Sequence, residues 1–150
     1  MELDAASLAS LGGLFAAAFL AATILPAQSE LVLAAMILSG RYDLAMLLVI
    51  ATAGNTLGAV VNWALGRFVE RFRDRRWFPL TPDKLDRATG WYRRWGKWSL
   101  LLSWAPVIGD ALTLVAGMLR VRLATFLVLV TLAKGGRYAV LAWIVIAARS

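Results

Sequence analysis

Apolar residues in this chain run in long stretches rather than at the spacing of three and four that marks a soluble amphipathic helix. Four blocks stand out: Leu8 to Leu38, Leu44 to Leu65, Ser99 to Leu119 and Leu123 to Ala148. A helix needs about 20 apolar residues to cross the hydrocarbon of a bilayer. The second and fourth blocks reach that length without a break, and the pattern predicts transmembrane helices there. The first and third blocks are interrupted, by Pro26-Ala27-Gln28-Ser29-Glu30 and by Pro106 with Gly109-Asp110. After Glu30 only Leu31 to Leu38 remain before the polar turn at residues 39–43. At about 1.5 Å per residue, that piece crosses less than half a bilayer. Proline removes a donor and disfavours helical geometry just before it, so both blocks are expected to form helix–break–helix hairpins that enter and leave on one side. Backbone broken at that depth survives inside protein or beside a water-filled cavity.

The two halves match in their punctuation. A shift of 80 residues takes Pro26 and Glu30 onto Pro106 and Asp110. The same shift takes Arg41 to Val121, between Arg120 and Arg122, and Gly54 to Lys134. The expected fold is therefore all-α and integral to the membrane. It is an inverted repeat of two Pro-broken re-entrant hairpins, each followed by a transmembrane helix. A single membrane domain over 1–150 is expected, with halves at 1–65 and 99–150 around a basic stretch at 66–98.

Charge orients this arrangement. Ten of the sixteen basic residues lie between Gly66 and Trp98, against only Glu70, Asp74, Asp83 and Asp86. A basic stretch bounded by apolar blocks reads as a cytoplasmic loop facing anionic headgroups rather than as a nucleic-acid surface. The third block then leaves and returns on the cytoplasmic side, Ser150 lies outside, and the first hairpin opens outside beside Glu2 and Asp4. Leu8 to Leu25 is also nearly long enough to span alone, which would place the amino terminus inside. The acidic start Met1-Glu2-Leu3-Asp4 is not that of a signal peptide, so the first block is expected to be retained.

Within the loop, Thr81-Pro82-Asp83 has the composition of a helix start: a capping Thr, Pro at the first position and an acid in the first turn. Leu85, Ala88, Tyr92 and Trp95 follow on one face, with Lys84, Arg87 and Arg94 on others. With Trp77, Trp91 and Trp98 nearby, the segment predicts a helix lying in the headgroup layer.

Composition agrees with a membrane protein and removes several chemistries. Hydrophobic residues make up 61% and mean hydropathy is +0.71, both above what a soluble domain of this size shows. There are no cysteines and no histidines. The commonest nucleophile–base pairs and soft metal ligands are thus absent, and no metal, cofactor or enzymatic activity is expected.

Charges inside apolar blocks cost about 2.5–3.5 kcal/mol each on insertion scales. Glu30, Asp110, Lys134 and Arg137 are the four candidates. Lys134 and Arg137 are three apart and share a helix face across Gly135-Gly136. One reading is that acids and bases pair and neutralise each other. The other is that Lys134 and Arg137 hold an anionic headgroup while Glu30 or Asp110 couples or gates; an ion pair that a ligand opens joins both. Asn55 and Asn62 lie seven apart near one face, suited to interhelical hydrogen bonds, and Gly54 with Gly58 makes a close-packing face. Pro26, Asn55, Asn62, Trp104, Pro106 and Gly109 are the expected cavity-lining or packing residues, with Ser103 beside Trp104.

These elements together resemble the DedA family, also called VTT-domain or SNARE-associated membrane proteins, and most closely its short YqaA-like branch. Gln28-Ser29-Glu30 stands where that family has Pro-Gly-Glu. Gly54-Asn55-Thr56-Leu57-Gly58, Trp63 and Gly66-Arg67 follow its glycine, aromatic and Gly-Arg run in spacing. Trp104-Ala105-Pro106 stands for its Phe-x-Pro, and Ala116-Gly117 for its later Ala-Gly. Residues 103–110 and Lys134-Gly135-Gly136-Arg137-Tyr138 have the form of the short branch. The chain departs from the family at Ala59, where an Asp is usual, and at Ser103 and Gly109, where Arg residues bracket the proline. The resemblance implies a bacterial inner-membrane, multi-pass protein that moves phospholipid or polyprenyl-phosphate lipid between leaflets as a flippase or scramblase. Its expected partners are membrane lipids with anionic headgroups, and a homo-oligomer would bury more of so small a chain. A small-ion or proton-coupled exchanger and a structural membrane partner are the competing functions.

Overall fold

The computed structural model describes residues 4–23, 28–68, 81–105 and 108–150. Pro26, Pro106 and Trp77 lie outside them, as does the side chain of Leu85. Apart from short turns and caps, the described residues are helical. In chain order they form α1 (Ala5–Thr23), α2 (Gln28–Ser39), α3 (Leu44–Arg67), α4 (Pro82–Trp95), a 3₁₀ segment (Gly96–Trp104), α5 (Ile108–Met118) and α6 (Leu123–Arg149).

Among the described residues, three stretches can cross a membrane on length and composition: Ala5–Ala22, Leu44–Arg67 and Leu123–Arg149. The second and fourth apolar blocks thus form the two unbroken helices expected of them. The first block divides into α1, long enough to cross by itself as the second reading of Leu8–Leu25 allowed, and the 12-residue α2. At 11 residues α5 is about as short, and both fall well under the roughly 30 Å of hydrocarbon.

Local chemistry sets the ends. Asp4 and Asp43 cap α1 and α3 by accepting the backbone N–H of Ser7 at 2.8 Å and of Met46 at 3.0 Å. Hydrogen bonds from Ser7, its side chain first and its backbone second, hold the exposed Asp4 carboxyl below its usual pKa. Thr81 sits at the cap of α4 with Pro82 following, as expected, but its hydroxyl makes no capping bond. Its backbone carbonyl takes the Lys84 N–H at 3.1 Å instead, and Pro82 brings no donor to satisfy. The helix α5 closes with Val121 N–H on Ala116 O at 2.9 Å and Arg120 N–H on Gly117 O at 3.0 Å, a Schellman end with Arg120 left-handed at φ 55°.

The third block departs from the expected α-helical arm. Gly96, at φ 59°, stops α4, and the chain continues as a 3₁₀ helix to Trp104. Nine residues is long for that geometry. Its exit has a local cause: Ala105 is extended at ψ 132°, the conformation favoured before a proline.

The chain divides into two compact units, one of residues 1–58 with 134–150 and the other of residues 59–133. In the first, Leu11, Leu14, Ala18, Leu33, Leu47, Ala51 and Tyr138 form the buried core. Gly54 and Gly58 bring α3 against α1 there. A Cβ on either would stand 2.5 Å from the carbonyl oxygen of Phe15 or Phe19, so the small-residue face read from the sequence is a helix contact. In the second unit α4, the 3₁₀ segment and α5 pack on one another. One core there is built on Ala111, Leu112, Leu114 and Val115 with Ala88, and another on Ala59, Leu100, Ala116, Phe126 and Val130. Large apolar side chains also face outward, among them Leu31, Val49, Leu132 and Trp143, each over 60% exposed. For helices of this length that surface suits acyl chains rather than water.

Candidate functional site

Two neighbours at the start of α2 meet two neighbours on α6. Ser29 is buried and Glu30 lies in the first turn of α2, where a carboxylate is favoured by the helix dipole. On α6, Lys134, Arg137 and Tyr138 fall on one face at steps of three and four. The Arg137 guanidinium forms an ion pair with the Glu30 carboxylate. Beside it the Tyr138 hydroxyl donates to Ser29 Oγ at 3.0 Å and accepts from the Asn55 amide at 2.8 Å. Asn55 comes from α3, so this hydrogen-bonded chain joins three helices of the first unit.

The site is polar in an apolar setting. Tyr138 and Ser29 are essentially fully buried, and Lys134 is 3% exposed. Arg137 and Glu30 are 16% and 30% exposed in their side chains, so the ion pair reaches the surface of the unit. Pairing offsets the cost of each charge in hydrocarbon. On α3, Asn55 Oδ1 and Thr56 Oγ1 are buried without a hydrogen-bond partner, as is Ser103 Oγ in the other unit, each at a cost of about 1–3 kcal/mol.

The structure therefore gathers Glu30, Lys134, Arg137 and Asn55 of the sequence-derived candidates into one unit. Asp110, Asn62, Trp104 and Gly109 belong to the other. There Asp110 opens α5 and its backbone carbonyl accepts the Thr113 hydroxyl at 2.7 Å, while the Asn62 amide reaches Thr113 Oγ1 at 3.5 Å. Trp104 is about half exposed, and Gly109 is packed against the backbone of Ser103. Each asparagine thus reaches a polar side chain on another helix of its unit. Among the described residues no group of three or more carboxylates, thiols or imidazoles could hold a metal ion.

Tyr138, Ser29 and Thr56 were not among the sequence candidates as site residues. The available signal was adjacency, since Ser29 precedes Glu30, Tyr138 follows Arg137 and Thr56 follows Asn55. Tyr138→Phe removes one hydroxyl and strands both its partners. It is expected to lower stability by about 1–2 kcal/mol, read as a fall in the unfolding midpoint in detergent.

Comparison with known proteins identifies the family of the chain. The VTT domain family profile matches residues 5–147. The chain is 44% identical over 133 residues to inner membrane protein YqaA of Escherichia coli, covering 89% of each. It is 37% identical over 139 residues to an uncharacterized protein of Haemophilus influenzae, covering 88% of this chain and 85% of that one. It is 28% identical over 115 residues to undecaprenyl phosphate transporter A of Staphylococcus aureus, covering 71% of this chain and 57% of the other. No solved structure matches the chain at a significant level. The Escherichia coli relative is named as an inner membrane protein and the Staphylococcus aureus relative as a transporter.

Proposed function

The chain belongs to the VTT domain (DedA) family and is an inner-membrane protein, and from that membership and the site on α2, α3 and α6 we propose that it moves a phosphate-bearing lipid between leaflets. The observation that carries this reading is the Glu30–Arg137 ion pair, held beside the Ser29–Tyr138–Asn55 chain within apolar helices. A guanidinium binds phosphate oxygens through paired donors and a carboxylate in the same way, so the two anions compete for Arg137. A lipid phosphate that takes Arg137, with the Lys134 ammonium one turn away on the same face, displaces Glu30. Displaced from Arg137 within apolar helices, Glu30 is the group this proposal places at the coupling step, so that a proton gradient drives entry of the lipid and its release restores the pair. The name of the Staphylococcus relative supports a polyprenyl phosphate as the lipid.

In this proposal the short helices α2 and α5 are the arms of re-entrant hairpins in inverted halves, the arrangement the 80-residue match between the Pro26–Glu30 and Pro106–Asp110 breaks predicts. The lipid tails stay in the bilayer while the headgroup follows the polar side chains.

The test is translocation in proteoliposomes by the full-length chain. Polyprenyl phosphate, phosphatidylglycerol and phosphatidylcholine probes are compared, with and without a proton gradient, alongside a pH-dye assay of proton flux. Faster movement of the polyprenyl phosphate than of phosphatidylcholine, increased by the gradient, is expected. Proton or ion flux independent of any lipid would favour an exchanger, and no translocation by well-folded protein would overturn the transport reading.

A further inference from the structure

A second feature, lying entirely in the unit of residues 59–133, is independent of the ion pair. Where α4 turns into the 3₁₀ segment, the chain encloses a half-open groove of about 690 Å³ lined by Trp91, Arg94, Trp95, Trp98, Leu101 and Leu102. That volume is in the range of small-molecule sites, about 300–1,000 Å³. The three indoles are 42%, 57% and 60% exposed, an unusual cluster of large rings in eight residues.

The cations are arranged around the rings. The Arg94 guanidinium lies 5.7 Å from the centroid of Trp95, and Lys97 Nζ lies 5.5 Å from that of Trp98. Such contacts orient both partners. From Arg87 to Trp98 the chain carries Arg87, Arg93, Arg94 and Lys97 and no acid. Ser99 turns its hydroxyl to the Gly96 carbonyl at 2.8 Å and is buried, leaving the groove wall to rings and leucines. The lining is thus apolar apart from Arg94, and Lys97 lies just beyond it against the ring of Trp98.

We infer that this groove binds one anionic phospholipid, with an acyl chain along Trp95, Trp98, Leu101 and Leu102 and the phosphate beside Arg94 and Lys97. An acyl chain accounts for the apolar lining, which a soluble phosphate would not need. An anionic headgroup accounts for Arg94 and Lys97, which a neutral lipid would not use. Tryptophan belongs at the headgroup level of a bilayer, and basic residues there favour anionic lipids. The site gives α4 a defined lipid ligand and does not depend on the transport reading.

The experiment is native mass spectrometry of the full-length chain in detergent, titrated with phosphatidylglycerol or phosphatidylcholine. The expected result is saturation by one phosphatidylglycerol, bound about tenfold or more tightly than phosphatidylcholine. Arg94→Gln with Lys97→Gln should bring phosphatidylglycerol down to the phosphatidylcholine level. Trp95→Ala with Trp98→Ala should weaken both lipids. All four side chains are exposed, and unchanged circular dichroism would show that the fold stands. Quenching of tryptophan fluorescence in the unmodified chain by acyl-brominated phosphatidylglycerol, more than by its phosphatidylcholine counterpart, supplies a readout free of substitutions. Equal binding of the two lipids, binding that never saturates, or a charge variant that keeps its preference would each reduce the groove to a general interfacial anchor and overturn the proposal.

Discussion

Arg137→Gln is expected to lower lipid translocation about tenfold or more, and Glu30→Gln to do the same, while the double variant regains stability without regaining transport. Removing either partner leaves the other charge uncompensated among apolar helices. For a fully buried pair that costs about 3–5 kcal/mol. The pair here is 16% and 30% exposed, so about 1–3 kcal/mol is the better expectation. Removing both takes away the uncompensated charge as well as the attraction, and a coupling of about 0.5–3 kcal/mol should appear in the unfolding cycle. Transport should not follow that recovery, because the Arg137 donors for the lipid phosphate are still missing. Translocation restored in the double variant would mean that the charges serve only each other. That single outcome separates the neutralising reading of these residues from the binding one.

The second large effect is mechanical. Where α3 meets α5, a Cβ on Gly66 would collide with the carbonyl oxygen of Leu114, and one on Gly117 with that of Trp63. Both obstacles are backbone atoms of packed helices, so they cannot turn aside as the end of a flexible side chain can. Gly117→Ala is expected to cost about 1–3 kcal/mol and Gly66→Ala a similar amount, by forcing the helices apart. The neighbouring contacts depend on this approach. The Trp63 indole donates to Val121 O at 3.1 Å, its ring packs at 6.1 Å on Phe126, and Arg67 sits 4.5 Å over its face. The matched control is Gly12→Ala on α1, where an added Cβ meets nothing within 4 Å. That change should be neutral or stabilise by up to about 1 kcal/mol, since alanine favours helix over glycine. Unfolding midpoints of the three variants in one detergent check the ordering. A Gly117→Ala protein as stable as the Gly12→Ala protein would show that the α3–α5 contact is looser than described.

How much of this was legible beforehand differs between elements. Block length and apolarity fixed α3 and α6 as crossing helices, because the cost of leaving backbone groups unpaired in lipid permits little else. The two charges that pair, Glu30 and Arg137, were visible as candidates because ionisable residues inside apolar runs are expensive and need a reason. The amphipathic helix α4 was legible from Pro82 at its first position and the spacing of Ala88 and Tyr92, whose burial the structure confirms for Ala88 and partly for Tyr92. The resemblance carried by Gly54-Asn55, Trp63, Gly66-Arg67 and Lys134–Tyr138 gave the family, which the comparisons establish.

The rest depended on contacts between segments far apart in the chain, which no local pattern encodes. Nothing near Tyr138 indicates that its hydroxyl meets Ser29, 109 positions earlier, and Asn55, 83 positions earlier. Four charged candidates admitted several pairings, and only the packing of α2 on α6 selected Glu30 with Arg137. The 3₁₀ course of Gly96–Trp104 and the full length of α1 were likewise decided by packing, because periodicity in an all-apolar run does not distinguish helix types or break points. The chain alone determined which residues belong in a membrane and which of them are costly there, since those are properties of single side chains against lipid. The tertiary structure decided which costly residues offset one another, since that depends on distances between helices.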